Sequence, residues 1–389
     1  MGLPHELSAT EQRDERMMRD TVHKGDRSNK TMRTAVITGG AGFVGSNLAE
    51  SLLAEADTRV RIFDNFSRRG VEKNVAWLRR LPGSDRLEIV KGDVRDFRKV
   101  RQAISDASEI YHLAAQVAVT TSVDDPATDF AVNAQGTFHV LEAARQSRRR
   151  PFLLFTSTNK VYGALKSMAV EAEGTRYRVA DPRFRGVTED EPLDFHSPYG
   201  CSKGAADQYV RDYARIYNLP TVVFRMSCIA GPRQFGTEDQ GWVAHFLYSA
   251  LENRPITVYG SGLQVRDVLH VKDLVEAMRA VRDNLAHTRA QIYNVGGGGE
   301  RAISVSEMLR EIELRTDRPL RVEHASERPG DQPLYISETA KLERDTGWRP
   351  RRSLAEVLQD IHEFWLQSHS RPATAPGVLS PALLKQEAA

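Results

Sequence analysis

Six short apolar runs follow one another along the chain, separated by longer stretches of mixed polar and apolar residues. The runs are TAVIT (34–38), VRIFD (60–64), LEIV (87–90), EIYHL (109–113), FLLFT (152–156) and TVVFRM (221–226). Each is nearly continuous in apolar residues instead of alternating with polar ones, which is typical of strands covered on both faces of a sheet. We therefore predict six buried strands.

Helical periodicity marks the stretches between these strands, including residues 47–54, 130–148 and 198–217. The last stretch has Ser197 in the place of a helix N-cap and Pro198 at the first helical position, which together signal a helix start. Strands that alternate with helices in this way predict an α/β fold built on a doubly wound parallel sheet of the Rossmann type.

The pattern becomes less regular after about residue 230, where Gly and Pro are more frequent. Short helices are predicted at 242–252, 271–286, 304–316 and 354–367. We interpret residues 32–230 as the main sheet domain and 231–370 as a smaller C-terminal region, mainly for substrate binding. Residues 1–31 are polar, and residues 371–389 include several Pro and Ala, so we expect a flexible N-terminal extension and a flexible tail.

The charges of the chain nearly cancel, with 54 Lys and Arg residues against 52 Asp and Glu residues. This balance argues against a nucleic-acid-binding protein, which concentrates basic residues on one face. No apolar run approaches the roughly 18 residues of a membrane helix, and the N-terminus lacks the apolar core of a signal peptide. The chain has only two cysteines, too few for a disulfide framework, which favours a reducing compartment. It is therefore predicted to be cytoplasmic, without a membrane partner.

A glycine-rich turn, TGGAGFVG (38–45), joins the first predicted strand to the first helix. Its glycines allow a tight turn and bring backbone N–H groups close to a pyrophosphate at the helix N-terminus. The motif is weak by itself, but the strand before it, the helix after it and an acidic residue at the end of the next strand all agree with a dinucleotide site. The candidate residues are Gly39, Gly42, Phe43, Val44 and Gly45.

The acidic residue is Asp64, which ends the second strand. A carboxylate there binds both ribose hydroxyls and repels a 2′-phosphate, so NAD is the expected cofactor. Arg68 and Arg69 could soften that preference, although a solvated turn explains them as well. Further cofactor contacts are predicted near the ends of the second, third and fourth strands, at Asn65, Asp93, Val94, Leu113, Ala114, Ala115 and Gln116.

Tyr199 and Lys203 stand four residues apart in a helical stretch, so they share one helix face. An ammonium near a phenol favours the phenolate, and we expect Lys203 to lower the pKa of Tyr199. The tyrosine can then take a hydroxyl proton while a hydride leaves for the nicotinamide. Thr158, at a strand end, can form a hydrogen bond with the same substrate oxygen. Cys201, which lies between Tyr199 and Lys203, is expected to be packed against the protein and not to act as a nucleophile.

Eight motifs occur in order between residues 33 and 368: TGGAGFVG, FDN, GDV, HLAAQ, NAQGT, TST before VYG, YGCSK and RPGD. In this order of motifs the chain resembles the extended short-chain dehydrogenases/reductases of the NAD-dependent epimerase/dehydratase group. The resemblance implies that Thr158, Tyr199 and Lys203 are the catalytic residues. It also implies that Lys203 binds the nicotinamide ribose and that Tyr199 and Asn133 belong to the cofactor site.

The same resemblance implies that Arg266 in QVRD and Arg328 in RPGD bind the substrate's phosphates, as bidentate guanidinium groups do. A surface ion pair is the less favoured explanation of these arginines. Sugar-nucleotide 4,6-dehydratases carry Asp-Glu after the threonine, whereas this chain has Asn159 and Lys160. Lacking that acid and base, it is not expected to eliminate water. The candidate substrate residues are Gln116, Thr158, Asn159, Lys160, Arg266 and Arg328, and no metal ligands are assigned.

Longer stretches, such as DNFSRRGVEKNVAWL and PLDFHSPYGCSKGAADQYV, are similar to the CDP-paratose 2-epimerases. That similarity implies transient oxidation at C2 of a CDP-hexose and re-reduction on the other face. Ala230, where a tyrosine is usual, is expected to enlarge the pocket, which keeps CDP-glucose open as a substrate. A UDP-hexose 4-epimerase and a non-catalytic NAD-binding regulatory protein also stay open as functions, and the intact catalytic trio argues against the regulatory protein.

Relatives in this group commonly pair through helices. The resemblance therefore implies a homo-oligomer, a dimer or a tetramer, with residues 130–148 and 198–217 as the contacting helices.

Overall fold

The computed structural model describes residues 32–166, 168–328 and 330–369. The predicted flexible segments, 1–31 and 371–389, lie outside the described residues. The strands are β1 (Arg33–Thr38), β2 (Thr58–Asp64), β3 (Leu87–Lys91), β4 (Glu109–His112), β5 (Phe152–Thr158), β6 (Val170–Glu173), β7 (Arg176–Val179), β8 (Thr221–Met226), β9 (Cys228–Ala230), β10 (Ile256–Tyr259), β11 (Val265–His270), β12 (Ile292–Val295), β13 (Ala302–Ser304), β14 (Val322–Ala325) and β15 (Leu334–Tyr335).

The α-helices are α1 (Phe43–Leu53), α2 (Val71–Leu78), α3 (Phe97–Ile104), α4 (Val119–Asp124), α5 (Pro126–Phe130), α6 (Gly136–Gln146), α7 (Ser197–Tyr217), α8 (Trp242–Leu251), α9 (Val271–Asp283), α10 (Leu285–Thr288), α11 (Val305–Thr316), α12 (Ala340–Thr346) and α13 (Leu354–His369). Among the described residues, no helix combines the length and the apolar character that crossing a bilayer requires.

A seven-stranded sheet with the order β12-β8-β5-β4-β1-β2-β3 forms the centre of the molecule. All of its neighbouring strands run parallel. The predicted α/β class and the six predicted strands are confirmed. The sequence analysis missed the seventh strand, β12, which is only four residues long and directly precedes four glycines.

Helices cover both faces of this sheet and bury its apolar residues. On one face α1, α2 and α9 pack in a core that includes Leu48, Val75 and Leu274. On the other face α3, α6 and α7 pack in a second core with Val100 and Val210 among its residues. This two-sided burial explains why the strand sequences are continuously apolar.

The helix predicted over 130–148 is divided in the structure. It consists of the end of α5, a π-helical turn at Ala131–Gln135 and α6. Such turns insert one extra residue into a helix and re-aim the side chains next to it, frequently at functional sites.

The structure begins α7 at Ser197, and the hydroxyl of this serine accepts the Gly200 N–H at 3.2 Å. This side chain therefore bonds within the first turn, although the N-cap is His196 and not, as predicted, Ser197.

Smaller sheets and three helices form the C-terminal region. Strand β11 pairs with β9, β13 and β15, and β10 pairs with β14. Helices α8, α11 and α13 pack there around Val268 and Ile361. The predicted division at residue 230 stays a prediction. Several elements beyond it, among them β12, α9 and α12, belong to the large sheet and its helical cover.

Candidate active site

The glycine-rich turn lies at the carboxyl edge of the sheet, between β1 and α1. Gly39 has a φ of +70°, and a Cβ on it would lie 2.8 Å from the backbone nitrogen of Ala114. A Cβ on Gly45 would lie 2.6 Å from the Gly39 carbonyl oxygen. No side chain caps the N-terminus of α1 at Gly42. The N–H groups of the first helical residues, Phe43 and Val44 among them, are therefore available to an anionic group.

Asp64 lies at the end of β2 and is held against this turn. Its Oδ2 accepts the Ala41 N–H at 3.0 Å, and its Oδ1 accepts the Phe66 N–H at 2.8 Å. Burial raises the pKa of Asp64, while the two N–H bonds act to lower it. The structure thus brings the predicted ribose-binding carboxylate and the glycine turn together.

Asn65 and Asp93 join the ends of β2 and β3. The Asn65 Nδ2 donates to Asp93 Oδ2 at 2.9 Å, and Arg95 pairs with the same carboxylate at 2.9 Å. The hydrogen bond from Arg95 lowers the pKa of Asp93. Val94, next in the chain, is buried against Gly136 at the start of α6. Asp93 is therefore an ionised acceptor at the edge where an adenine is expected.

Arg68 is exposed and reaches from the turn after β2 to the C-terminal region. Its Nη1 donates to the Gln240 side-chain oxygen. Its charge acts on both Asp64 and Tyr199, the predicted ribose and proton-transfer residues. Arg68 therefore connects the cofactor-binding edge to the segment before α8.

The segment after β4 is fixed by reciprocal hydrogen bonds between Gln116 and Asn133. The Gln116 N–H donates to Asn133 Oδ1 at 3.0 Å, and Asn133 Nδ2 donates to the Gln116 carbonyl at 3.0 Å. The Leu113 and Ala114 N–H groups bond to Thr38, at 3.0 and 3.3 Å, and Ala115 lies between these anchors. Because Asn133 is in the π-helical turn, the extra residue of that turn aims its amide at this segment.

Thr158, Tyr199 and Lys203 meet in a buried group, with exposed fractions of 7%, 8% and 3%. Thr158 ends β5, and Tyr199 lies in the first turn of α7, where Thr158 acts to lower the pKa of its phenol. Lys203 is one turn further along the same helix. The structure therefore brings the predicted trio together.

The predicted effect of Lys203 on Tyr199 is wrong in this structure. Burial raises the pKa of Tyr199 to about 12, and hydrogen bonding with Thr158 opposes that rise only in part. Burial also lowers the pKa of Lys203 to about 7. The Lys203 Nζ donates to the Thr156 carbonyl at 2.6 Å instead of acting on the phenol. The desolvation of Tyr199 and Lys203 thus outweighs the attraction between ammonium and phenolate that their spacing along the helix suggests.

Three buried polar residues beside the trio escaped the sequence analysis: Asp129, Ser202 and His112. The His112 ring nitrogens lie 2.7 Å from Thr38 Oγ1 and 2.9 Å from Thr137 Oγ1. Burial, and to a lesser degree the charge of Lys203, lower the pKa of His112 to about 3, so the ring is neutral. Asp129 stands four residues before Asn133, and that spacing was the available signal for it.

The predicted substrate residues Asn159, Lys160 and Arg266 converge on the segment that follows Arg328. Arg266 pairs with Asp331 at 2.6 Å, and Lys160 Nζ is 3.4 Å from the same carboxylate oxygen. Asn159 Nδ2 donates to Gln332 at 3.3 Å. Burial and the charge of Arg266 lower the pKa of Lys160 to about 8. Two cations thus share one carboxylate beside Thr158.

Arg328 contacts a different segment. Its guanidinium stacks over the Tyr259 ring at 3.9 Å from the centroid and pairs with Asp239 at 3.6 Å. The Tyr259 hydroxyl in turn donates to Glu238. Both predicted phosphate-binding arginines therefore pair with carboxylates of the chain itself.

Two expectations about the site need correction. Ala230 is fully buried with Val243 and Ala244 in the core of the C-terminal region, so the structure places it in packed protein instead of at an open pocket. Cys201 is exposed, not packed, because it lies on the outer face of α7.

The comparisons with known proteins agree with this geometry. The chain matches the model of the GDP-mannose 4,6 dehydratase family over residues 36–361. It is 41% identical over 336 residues to the CDP-paratose 2-epimerase of Salmonella typhi, which covers 85% of this chain and 98% of that protein. Identity to the UDP-glucose 4-epimerase of Mycolicibacterium smegmatis is 32%, covering 86% and 98% of the two chains.

A solved structure of the Thermus thermophilus UDP-glucose 4-epimerase in complex with NAD superposes with a TM-score of 0.70. It is 31% identical and covers 85% of this chain and 98% of its own. The family model covers the large sheet except for the first three residues of β1, and the match includes nearly the full length of each of these relatives. The chain therefore belongs to the NAD-dependent epimerase/dehydratase family, as its motifs predict.

Proposed function

We propose that the protein is an NAD-dependent epimerase that inverts C2 of a CDP-linked hexose, as a CDP-paratose 2-epimerase does. The observation that carries the proposal is the 41% identity to the Salmonella typhi enzyme over 98% of its length. A buried Thr158–Tyr199–Lys203 group of the kind that redox epimerisation needs supports it.

The cofactor-binding edge suits a dinucleotide. The close backbone packing at Gly39 and Gly45 leaves no space for side chains, and the uncapped N-terminus of α1 offers N–H groups to a pyrophosphate. Asp64 would hold the ribose hydroxyls next to that turn. NAD bound there would accept the C2 hydride and return it.

Tyr199 handles the proton of the reaction. Tyr199 is a neutral phenol in this structure, and the positive charge of a bound NAD would favour its ionised form. As that phenolate it would take the proton of the C2 hydroxyl while the C2 hydride leaves, which produces a 2-keto sugar. After the sugar has presented its other face, the returning hydride adds to C2 and Tyr199 gives the proton back to the oxygen. Thr158, which acts on the Tyr199 phenol from the end of β5, would hold the same oxygen in line.

Asn159 and Lys160 direct the reaction away from dehydration. An elimination needs an acid and a base beside the sugar. Here the Asn159 amide is hydrogen-bonded to Gln332, and the Lys160 ammonium forms an ion pair with Asp331. Neither group is arranged to remove a carbon-bound proton. The 2-keto sugar can therefore only be reduced again.

The two arginines would bind the diphosphate of the substrate. Arg266 and Arg328 each hold a carboxylate, Asp331 and Asp239 respectively, in the place where phosphate oxygens would pair. We propose that the substrate exchanges these internal ion pairs for charge-assisted bonds to its phosphates.

We also propose that two copies pair through α6 and α7. Phe138 and Tyr209, one on each helix, are 43% and 52% exposed and lie edge to face with centroids 6.3 Å apart. Ile216, near the end of α7, is 67% exposed. Exposed apolar residues grouped on two neighbouring helices are typical of a subunit interface.

Product analysis by NMR tests the function. The purified protein is incubated with CDP-paratose, CDP-glucose and UDP-glucose, and the ring-proton couplings of each product are measured. Inversion at C2 of a CDP-sugar is the expected result. Inversion at C4 of UDP-glucose would instead show that the protein is a UDP-hexose 4-epimerase.

Two variants of α7 complete the experiment. Tyr199→Phe should retain bound NAD and lose turnover by about 100-fold or more, because it removes the group that carries the proton. Tyr209→Phe, on the exposed face of the same helix, is the matched control and should keep full activity. Unchanged turnover in Tyr199→Phe would refute the mechanism.

A further inference from the structure

The loop between β9 and α8 carries two acidic residues at the tip of a tight turn. Thr237 and Gln240 exchange backbone N–H bonds at 2.8 and 3.2 Å, and Glu238 and Asp239 lie between them. We call residues 237–240 the acidic turn. Because it closes its own backbone hydrogen bonds, it is a small unit whose carboxylates can pair with other segments.

Arg328 is the partner of both carboxylates. Its Nη2 lies 3.6 Å from Asp239 Oδ1 and 4.0 Å from Glu238 Oε1. The same nitrogen donates to the Glu238 carbonyl at 3.3 Å. Tyr259 supports this arrangement, because its ring lies 3.9 Å from the guanidinium and its hydroxyl donates to the Glu238 side chain. The predicted phosphate-binding arginine thus faces two negative charges of the chain itself.

The acidic turn has a second anchor that does not depend on its carboxylates. On the side of the cofactor-binding edge, Arg68 Nη1 donates to the side-chain oxygen of Gln240. Together with the two backbone bonds inside the turn, this contact holds the turn in place. Neutral side chains at positions 238 and 239 would therefore remove the charges without detaching the turn.

The ion pair of Arg266, the other predicted phosphate-binding residue, has different surroundings. Its partner Asp331 also holds Lys160, at 3.4 Å, and its side chain is 28% exposed. The two carboxylates of the acidic turn are 46% and 50% exposed. A carboxylate that leaves Arg328 regains water, whereas the departure of Asp331 would also deprive Lys160 of its partner. An incoming phosphate therefore replaces a carboxylate more easily at Arg328 than at Arg266.

We propose that Glu238 and Asp239 take the place of the substrate's diphosphate at Arg328 in the free protein, and that the diphosphate must displace them on binding. The inference rests on the proposed function, in which Arg328 binds that diphosphate, and it deepens that function. A diphosphate displaces the carboxylates because it offers the guanidinium stronger, charge-assisted bonds. A free hexose or a nucleoside has no such group, so the acidic turn makes the site selective for nucleoside diphosphates.

Calorimetric titration of the purified protein with CDP and with UDP tests the proposal without any turnover. Glu238→Gln/Asp239→Asn removes both charges and keeps the shapes of the side chains. The nucleotide that the wild type prefers should bind roughly fivefold to tenfold more tightly to this double variant, because its phosphates no longer compete with two exposed ion pairs. Equal or weaker binding would overturn the proposal, and so would a wild type that binds neither nucleotide.

A matched control removes the same net charge elsewhere in the C-terminal region. Glu311 and Glu323 are exposed, and neither pairs with Arg328 in the described part of the chain. Glu311→Gln/Glu323→Gln should leave the affinity for the nucleotide within about twofold of the wild type, because distant exposed charges are screened. A gain in the control as large as that in Glu238→Gln/Asp239→Asn would show that net charge alone is the cause.

Arg328→Met shows whether the effect passes through the guanidinium. Adding Glu238→Gln/Asp239→Asn to Arg328→Met should bring no gain in affinity, because the carboxylates then have no arginine to occupy. The 31P signals of the nucleotide report binding in these variants even where it is too weak for calorimetry. A full gain without the arginine would mean that the carboxylates repel the phosphates directly, which contradicts the proposal.

Product NMR on the same proteins distinguishes this inference from the proposed function. If Glu238→Gln/Asp239→Asn binds the nucleotide more tightly while no CDP-sugar is converted, the proposed function fails and the role of the acidic turn stands. If a CDP-sugar is inverted at C2 and the double variant binds CDP no more tightly than the wild type, the role of the acidic turn fails and the proposed function stands.

Discussion

The Lys203 ammonium donates to the backbone carbonyl of Thr156 at 2.6 Å and is almost completely buried. One carbonyl replaces only part of the hydration that an ammonium loses on burial. The pKa of Lys203 therefore falls from its ordinary value of 10.5 to about 7. A residue that the proposed reaction requires therefore lowers the stability of the fold.

Replacing Lys203 with Met should therefore stabilise the protein while abolishing turnover. Exchange of a buried charge for an apolar side chain of similar length is expected to raise the free energy of unfolding by about 1 kcal/mol or more. Urea unfolding at neutral pH measures the gain, and product NMR measures the loss of activity. A less stable Lys203→Met protein would contradict this account of the site.

The same shift predicts a pH dependence of stability. Between pH values of about 7 and 10.5 the unfolded chain binds more protons at Lys203 than the folded chain does. The contribution of Lys203 to the free energy of unfolding therefore increases as the pH rises through that window. Because Lys203→Met removes this contribution, the stability advantage of the variant should shrink at alkaline pH. An advantage that is equal at pH values of about 7 and 10 would contradict the shift.

Gly45 is expected to tolerate no side chain, because a Cβ on it would lie 2.6 Å from both the Gly39 carbonyl oxygen and the Gly40 Cα. Gly45→Ala should displace the turn that precedes α1, lower the free energy of unfolding by about 2 kcal/mol and release bound NAD. Gly299→Ala is the control, since a Cβ there meets nothing within 4 Å. Thermal unfolding and the nucleotide content of the purified variants are the measurements. Normal NAD content in Gly45→Ala would refute the role of the turn.

Sequence reasoning was most successful where a pattern is local. The continuous apolar run of β5 reflects seven residues that are all buried, and the Tyr199–Lys203 spacing reflects one turn of α7. Both follow from the periodicity of a single element, so no knowledge of its neighbours is needed.

Contacts between distant segments could not be predicted in this way. Nothing in its local sequence shows that Asp129 meets Ser202, 73 positions later, or that Arg68 reaches Gln240. The pKa of Tyr199 was predicted with the wrong sign because burial is a property of the whole fold. The sequence thus predicts which groups react, and the structure supplies their electrostatics.

Arg225 and Asp207 form a buried ion pair behind the catalytic helix, with hydrogen bonds of 2.9 and 3.0 Å. Arg225→Met would leave the Asp207 carboxylate unpaired, so we expect a loss of about 3–5 kcal/mol in the free energy of unfolding. The double variant Asp207→Leu/Arg225→Met should recover most of it, because both charges are then removed. Denaturant unfolding of both variants is the measurement.

Arg254 provides the control for this prediction. Its ion pair with Glu252, at 2.7 Å, has exposed side chains, and Arg254→Met should cost less than about 1 kcal/mol. Equal losses of unfolding free energy in Arg225→Met and Arg254→Met would show that burial does not determine how much an ion pair contributes to stability.

Phe138, on α6, is expected to lie at the centre of the proposed subunit contact, against Tyr209 of α7. Phe138→Asp should convert the oligomer into monomers, because a carboxylate buried between two apolar surfaces would lose its hydration without gaining a partner. Light scattering coupled to size-exclusion chromatography measures the mass. Leu314→Asp, a change at a 70% exposed residue of α11, is the control and should leave the mass unchanged. A wild-type protein that is already monomeric would refute the interface.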